Sequence, residues 1–214
     1  MKKTIALLLA VMMTVTVFAG CNNKTEQEGT EGNVGTSDST TEATVNTTLD
    51  TTPDNDNAAD DGTALQVLEN IWSKFGEEDR FPIFGGDSSN MTDNAPGSFD
   101  VTNTEELRSV LLVDESVASQ VTEAASMVHM MNANVLTMGA FRVSGDVSAF
   151  ANTMKDTIAN NQWLCGQPAG FLLAQVAEDT LVMAFGDTVA LDLVRNNLKA
   201  AYASAEILHD DVIA

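Results

Sequence analysis

Val135-Leu136-Thr137-Met138-Gly139-Ala140-Phe141-Arg142-Val143 opens the stretch whose reading decides the fold, residues 132–203. The run is apolar and suits a pleated, buried surface, so it reads as a strand, with Gly139 marking a bulge or the close approach of another backbone. Ser144 or Asp146 can cap the helix that follows, in which Val147, Phe150, Met154 and Ile158 recur at helical spacing. Trp163-Leu164-Cys165-Gly166-Gln167-Pro168 is the pivot of the stretch. Beyond it, apolar runs at 171–177 and 181–185 flank Glu178-Asp179-Thr180, a connection too short for a parallel crossover, so the two runs pair as an antiparallel hairpin. Gly186 ends the hairpin, and Asp187 caps a last helix with Val189, Leu193 or Leu191, Asn196 or Asn197, and Ala200 on its course and Lys199 near its negative end. These pieces make a β-α-β-β-α unit.

Ahead of the unit the spacing turns helical. Leu65, Leu68, Ile71 or Trp72, and Phe75 predict an amphipathic helix over 63–75, ended by Gly76. Residues 77–100 hold Phe81-Pro82-Ile83-Phe84-Gly85-Gly86 and Ala95-Pro96-Gly97, a density of proline and glycine that predicts a long irregular loop packed on the domain through its aromatics. Thr102-Asn103-Thr104-Glu105 has capping-box spacing before a short second helix with Leu107, Val110 and Leu111. Asp114 can cap a third, with Val117, Val121, Ala124, Val128 and Met131 along one face and Asn132-Ala133-Asn134 as its end. The expected fold is α+β: N-terminal helices, then the β-α-β-β-α unit, forming one domain at 64–214 with an antiparallel sheet and helices packed on one face.

The beginning of the chain gives an address. Lys2 and Lys3, an apolar core over 5–17 and Phe18-Ala19-Gly20 before Cys21 read as a secretory signal over 1–21. The core is shorter than the roughly 20 apolar residues that a membrane span needs. Phe18-Ala19-Gly20-Cys21 resembles a bacterial lipobox, which implies diacylglycerol on Cys21 and lipid anchoring at the extracytoplasmic face of the membrane. Residues 22–63 hold eleven Thr, ten acids, one Lys and no aromatic residue, too little apolar area to offset chain entropy. They read as a disordered tether with a span of roughly 36 Å as a flexible coil.

Charge points the same way. The chain carries 31 acidic and 10 basic side chains, a net charge of −21, and residues 64–214 alone carry 21 acids and seven bases, or −14. A surface of that sign repels nucleic acid and anionic lipid, and attracts a cationic peptide or protein.

Motifs for chemistry are sparse. Trp-Leu-Cys-Gly-Gln-Pro invites comparison with a thioredoxin site, but that reaction needs Cys-x-x-Cys, and here Pro168 holds the second place. With Cys21 lipidated, Cys165 has no partner within the chain and reads as a structural, buried thiol. Met127, His129 and Met130 offer soft ligands suited to copper, although Met at helical spacing ordinarily fills a core. Glu77-Glu78-Asp79, Glu105-Glu106 and Asp210-Asp211 are expected by chance in so acidic a chain. No nucleophile elbow, zinc helix motif, phosphate loop or calcium loop is present in the sequence, so no cofactor and no catalytic residues are expected.

Taken together, the lipobox, the Thr- and acid-rich tether, Met131-Asn132-Ala133-Asn134, Asn160-Asn161-Gln162-Trp163-Leu164-Cys165-Gly166-Gln167-Pro168 and Ala184-Phe185-Gly186 resemble a family of small lipoproteins of Gram-positive bacteria with a C-terminal domain of unknown function. The resemblance covers about the last 140 residues. It implies no catalytic residues and, through some members, an accessory role in peptide export. The functional expectation is a binding or accessory module for a peptide or protein partner at the cell surface, with Phe81, Phe84 and Trp163 rimming an apolar groove. The alternatives are a thiol-redox or hydrolytic enzyme, or a copper-binding protein.

Overall fold

Thr63 begins the first element with a reciprocal cap: its Oγ1 accepts the Gln66 N–H at 3.3 Å while the Gln66 side chain accepts the Thr63 N–H at 2.9 Å. The computed structural model describes residues 62–164 and 166–213. The signal, Cys21 and nearly all of the tether, together with Cys165, lie outside the described residues. The helix that Thr63 caps is α1 (Ala64–Ser73), which buries Val67, Leu68 and Ile71.

A short 3-10 turn (Glu77–Asp79) follows, then β1 (Ile83–Gly85), β2 (Thr92–Asp93) and β3 (Gly97–Phe99). The stretch expected to be irregular thus supplies three small strands. Two glycines permit it: a Cβ on Gly85 would lie 2.1 Å from the Gly97 nitrogen, and Gly86 sits at φ 85°. Next come α2 (Thr104–Leu111), α3 (Glu115–Ala118), β4 (Val121–His129), β5 (Leu136–Val143), α4 (Val147–Ala159), β6 (Gly170–Ala177), β7 (Thr180–Gly186), α5 (Thr188–Ala201) and β8 (Glu206–Val212). The β-α-β-β-α unit is present as β5 to α5. Asp146 caps α4 and Asp187 caps α5, while Asn103, one residue after the expected Thr102, caps α2.

All strand pairs are antiparallel, in the order β2-β1-β4-β5-β7-β6-β8, with β3 also paired to β4. Both faces of the sheet are covered. Met138, Ala140, Leu172, Ala174 and Val182 pack with α1 and α5, whereas Phe141, Phe171, Leu173, Leu181 and Met183 pack with α2, α3 and α4. The α+β class stands, and helices lie on two faces of the sheet instead of one. The reason is visible in the central strands: a strand buried on both sides is apolar at every position and has no polar face to leave in water.

The predicted third helix is a correction of the same origin. Asp114 does cap a helix, but α3 ends at Ala118, and Val121, Ala124 and Val128 belong to β4. Ala125 and Met127 face the α1 side while Val121 and Ala124 face the other, so double burial erased the period of two and left an accidental spacing of four and three. Gly139 makes no bulge, since β4 and β7 pair through it without a shift. Its missing Cβ instead leaves room for the Phe141 ring, whose Cζ would lie 2.8 Å from it.

Candidate functional site

At one end of the sheet, the C-terminus of β4, the start of β5 and the end of β7 meet β1, α2 and the loop after α4. Between them lies a cleft of about 620 Å³. Its apolar wall is Phe84, Val110, Leu112, Val128, Trp163 and Phe185; Glu105, Arg108, Asn134, Asn161 and Gln162 supply the polar atoms. The Trp163 and Phe185 rings lie 5.1 Å apart at 58°, a tilted aromatic contact. The indole Nε1 of Trp163 is buried with no hydrogen-bond partner among the described residues. Leu164, next to it on the rim, is 81% exposed.

The loop that carries Trp163 is held from two sides. Asn134 Nδ2 donates to the carbonyl oxygens of Leu164 at 3.0 Å and Gly166 at 2.7 Å, and Gln167 Nε2 donates to that of Ile213 at 3.0 Å. Thr137 Oγ1 donates to Ala133 at 3.0 Å and steadies the turn that presents Asn134. The cleft is therefore a preformed feature. In the sequence Asn132-Ala133-Asn134 reads only as a break, and nothing in spacing reveals a side chain that bridges 30 residues.

Two of the three aromatics expected at a groove meet here. Phe84 and Trp163 line the cleft. Phe81 does not: it packs on the other side of the sheet against Trp72, Phe75 and His129, at centroid distances of 5.8, 6.4 and 5.1 Å. Three residues separate Phe81 from Phe84, and along an extended chain an odd separation sends side chains to opposite faces.

The soft-ligand trio is likewise divided. Met127 is buried in the core beneath α1, whereas Met130 is 43% exposed beyond the end of β4. His129 Nδ1 accepts the N–H groups of Met131 at 3.2 Å and Asn132 at 3.3 Å, so that nitrogen is engaged in the turn. His129 thus ends β4 with its ring accepting from backbone amides. Among the described residues no group of three or more His, Cys, Asp or Glu side chains is placed to hold a metal ion.

Arg108 has a special place on the rim. Arg142 is paired to Asp179, Arg195 to Asp192 and Asp210, and Arg80 donates to the Trp72 carbonyl and lies over its ring. Arg108 makes no hydrogen bond or ion pair within contact distance among the described residues. Beside it lies a second pocket of about 660 Å³, lined by Asp114, Thr153, Asp156, Thr157 and Asn160, with Arg108, Leu112, Asn161 and Gln162 lining both. Asp114 is held below the usual carboxylate range by the hydroxyl and backbone N–H of Ser116, with a smaller contribution from the Arg108 charge.

The far end of the sheet is where the described chain begins. The Gly62 carbonyl accepts from Arg142 Nη1 at 3.2 Å, near the end of β5. Thr137 in the cleft wall and Arg142 are five residues apart on that strand, which at about 3.3 Å per residue is roughly 17 Å. Compared with protein-family models, curated proteins and solved structures, the chain matches none of them.

Proposed function

We propose that the protein is a lipid-anchored binding module of the extracytoplasmic face, which takes an apolar part of a peptide or protein partner into the cleft between Phe84 and Trp163. The observation that carries the reading is a preformed apolar cleft whose rim leaves Leu164 81% exposed. Covering apolar surface contributes about 25 cal/mol per Å², and a loop already held by Asn134 loses little freedom when a ligand arrives. Glu105 is the one carboxylate in the lining among the described residues, and no His is there, so the wall offers contact area in place of a general acid–base pair.

A photoreactive residue at Leu164, in intact cells, tests this against the same probe at Val189, which is 71% exposed on α5. The expected result is a peptide or protein captured from position 164 and not from 189, with capture lost on Trp163→Ala. Equal capture from both positions, or none from 164, overturns the cleft as the binding site. Cys21→Ala, expected to release the protein from membranes, tests the anchor separately.

A further inference from the structure

We infer that Trp163 is the hydrogen-bonding anchor of the cleft: its indole ring turns when a ligand enters, and Nε1 donates to a backbone carbonyl oxygen of a peptide whose apolar side chain fills the space beside it. This rests on the cleft reading above and deepens it. Among the described residues that are not exposed, no other buried side-chain nitrogen or oxygen lacks a hydrogen-bond partner. An indole N–H can only donate, and a donor shut away from both water and an acceptor costs at least as much free energy as an ordinary hydrogen bond contributes. A ligand that offers an acceptor removes that cost. Trp72 makes the contrast: its ring packs against Phe75 at 4.8 Å and Phe81 at 5.8 Å under the Arg80 guanidinium, and it leaves no buried donor unmatched.

The ring is free to turn. It is half-buried, on a loop segment that belongs to no helix or strand, and it lines a cleft of about 620 Å³. The bonds that hold the loop run from Asn134 to the carbonyl oxygens of Leu164 and Gly166, and from Gln167 to that of Ile213. None of them involves the indole, so the ring can rotate about its broad Cβ–Cγ torsion without breaking one. The lining also chooses the acceptor. Arg108 and Glu105 both belong to it, so its formal charges cancel, and a domain at −14 opposes an anion. A neutral carbonyl oxygen meets the donor without bringing a charge. An apolar side chain flanked by amide carbonyls is what a peptide presents, whereas a bare hydrocarbon fills the same space and leaves Nε1 without a partner.

The test follows the two indole N–H resonances of the full chain, with Trp72→Phe assigning the one from Trp163, during titration with acetyl-Ala-Leu-Ala-amide and, separately, with toluene. The tripeptide is expected to move the Trp163 resonance downfield, as a new hydrogen bond does, and toluene is expected to bind in the cleft without that downfield move. Trp163→Phe keeps a ring against Phe185 and loses the donor, so it should lower the affinity for the tripeptide relative to that for toluene about fivefold. A tripeptide that shifts the amides of Val128 and Phe185 while the Trp163 N–H stays in place, or an unchanged affinity ratio in Trp163→Phe, overturns the hydrogen bond and leaves the apolar cleft standing. Binding of toluene alone overturns the peptide carbonyl as the partner of Nε1. Shifts from neither probe overturn both readings.

Discussion

The side-chain amide of Asn134 donates to the carbonyl of Leu164 at 3.0 Å, and through that bond the turn between β4 and β5 fixes the wall of the cleft. The same amide reaches Gly166 at 2.7 Å, so one side chain closes a loop that has no regular structure of its own. Asn134→Ala removes both bonds at a partly solvated site, and the expected loss of stability is about 1 kcal/mol. The larger effect is local. Amide exchange over residues 163–167 should accelerate while exchange in β5 and β7 is unchanged, and ligand binding at the cleft should weaken. Unchanged exchange in the loop would show that the Gln167 to Ile213 bond suffices to hold it.

Asp87 is the hidden organiser of the segment between β1 and β3. It is 4% exposed, and its carboxylate accepts the backbone N–H groups of Ser89, Asn90 and Asp100 at 2.8, 2.9 and 2.8 Å, and the Asn90 side chain as well. Burial pushes its pKa up, but the donated hydrogen bonds more than offset this and leave it below the ordinary 3.8. A folded-state pKa below the unfolded one contributes stability that is complete above about pH 4 and is lost as pH falls through the folded value. Asp87→Asn turns one acceptor oxygen into a donor facing donors, at an expected cost of about 2 kcal/mol at neutral pH. The variant should also have a flatter stability curve below pH 4 in urea titrations. Asp114 and Asp179 are depressed too, so the acid slope should shrink without vanishing.

The elements most legible in the chain were those with one wet face. The caps at Asp114, Asp146 and Asp187 hold as read, and α1, α4 and α5 show apolar stripes because their outer faces meet solvent. β4 was not legible, because both its faces are buried, and neither was β8, an edge strand with Glu206, Asp210 and Asp211 on it. β8 also has a register shift between Leu173 and Ala174 of its neighbour, which breaks whatever alternation it had. Of the site, Phe84 and Trp163 were legible as aromatics beside glycine and proline, but their meeting depends on the side-chain bridge from Asn134.

Gly139 gives that difference a measurable form. Had it marked a bulge, alanine there would strain the backbone; in the structure the new methyl would instead meet Phe141 Cζ at 2.8 Å and Leu111 Cδ2 at 3.2 Å. Phe141 is fully buried and contacts Phe150 at a centroid distance of 5.9 Å, so the ring has little room to withdraw. Gly139→Ala is expected to cost about 1–3 kcal/mol through overpacking. Combining it with Phe141→Leu should recover part of that loss relative to the sum of the two single variants, as contacting residues do in a double-mutant cycle. Strict additivity would return the cause to the backbone.

The last prediction separates packing from binding with two phenylalanines three residues apart. Phe81 lies among Trp72, Phe75 and His129 on the α1 side, whereas Phe84 lines the cleft on the opposite side with Trp163. Phe81→Ala removes aromatic contacts from the edge of a core, so it should lower stability by about 2–3 kcal/mol, less than the loss for a fully enclosed ring because Phe81 is only half-buried. Ligand affinity, measured below the unfolding transition, should stay within about twofold of the parent. Phe84→Ala takes contact area from the cleft wall and should lower affinity about tenfold or more, as the loss of an aromatic anchor does at other interfaces, with a smaller effect on stability. If Phe81→Ala instead abolished binding while Phe84→Ala left it intact, the ligand would have to sit on the α1 face, and the cleft at Trp163 would be reduced to a gap in the packing between α2 and the loop.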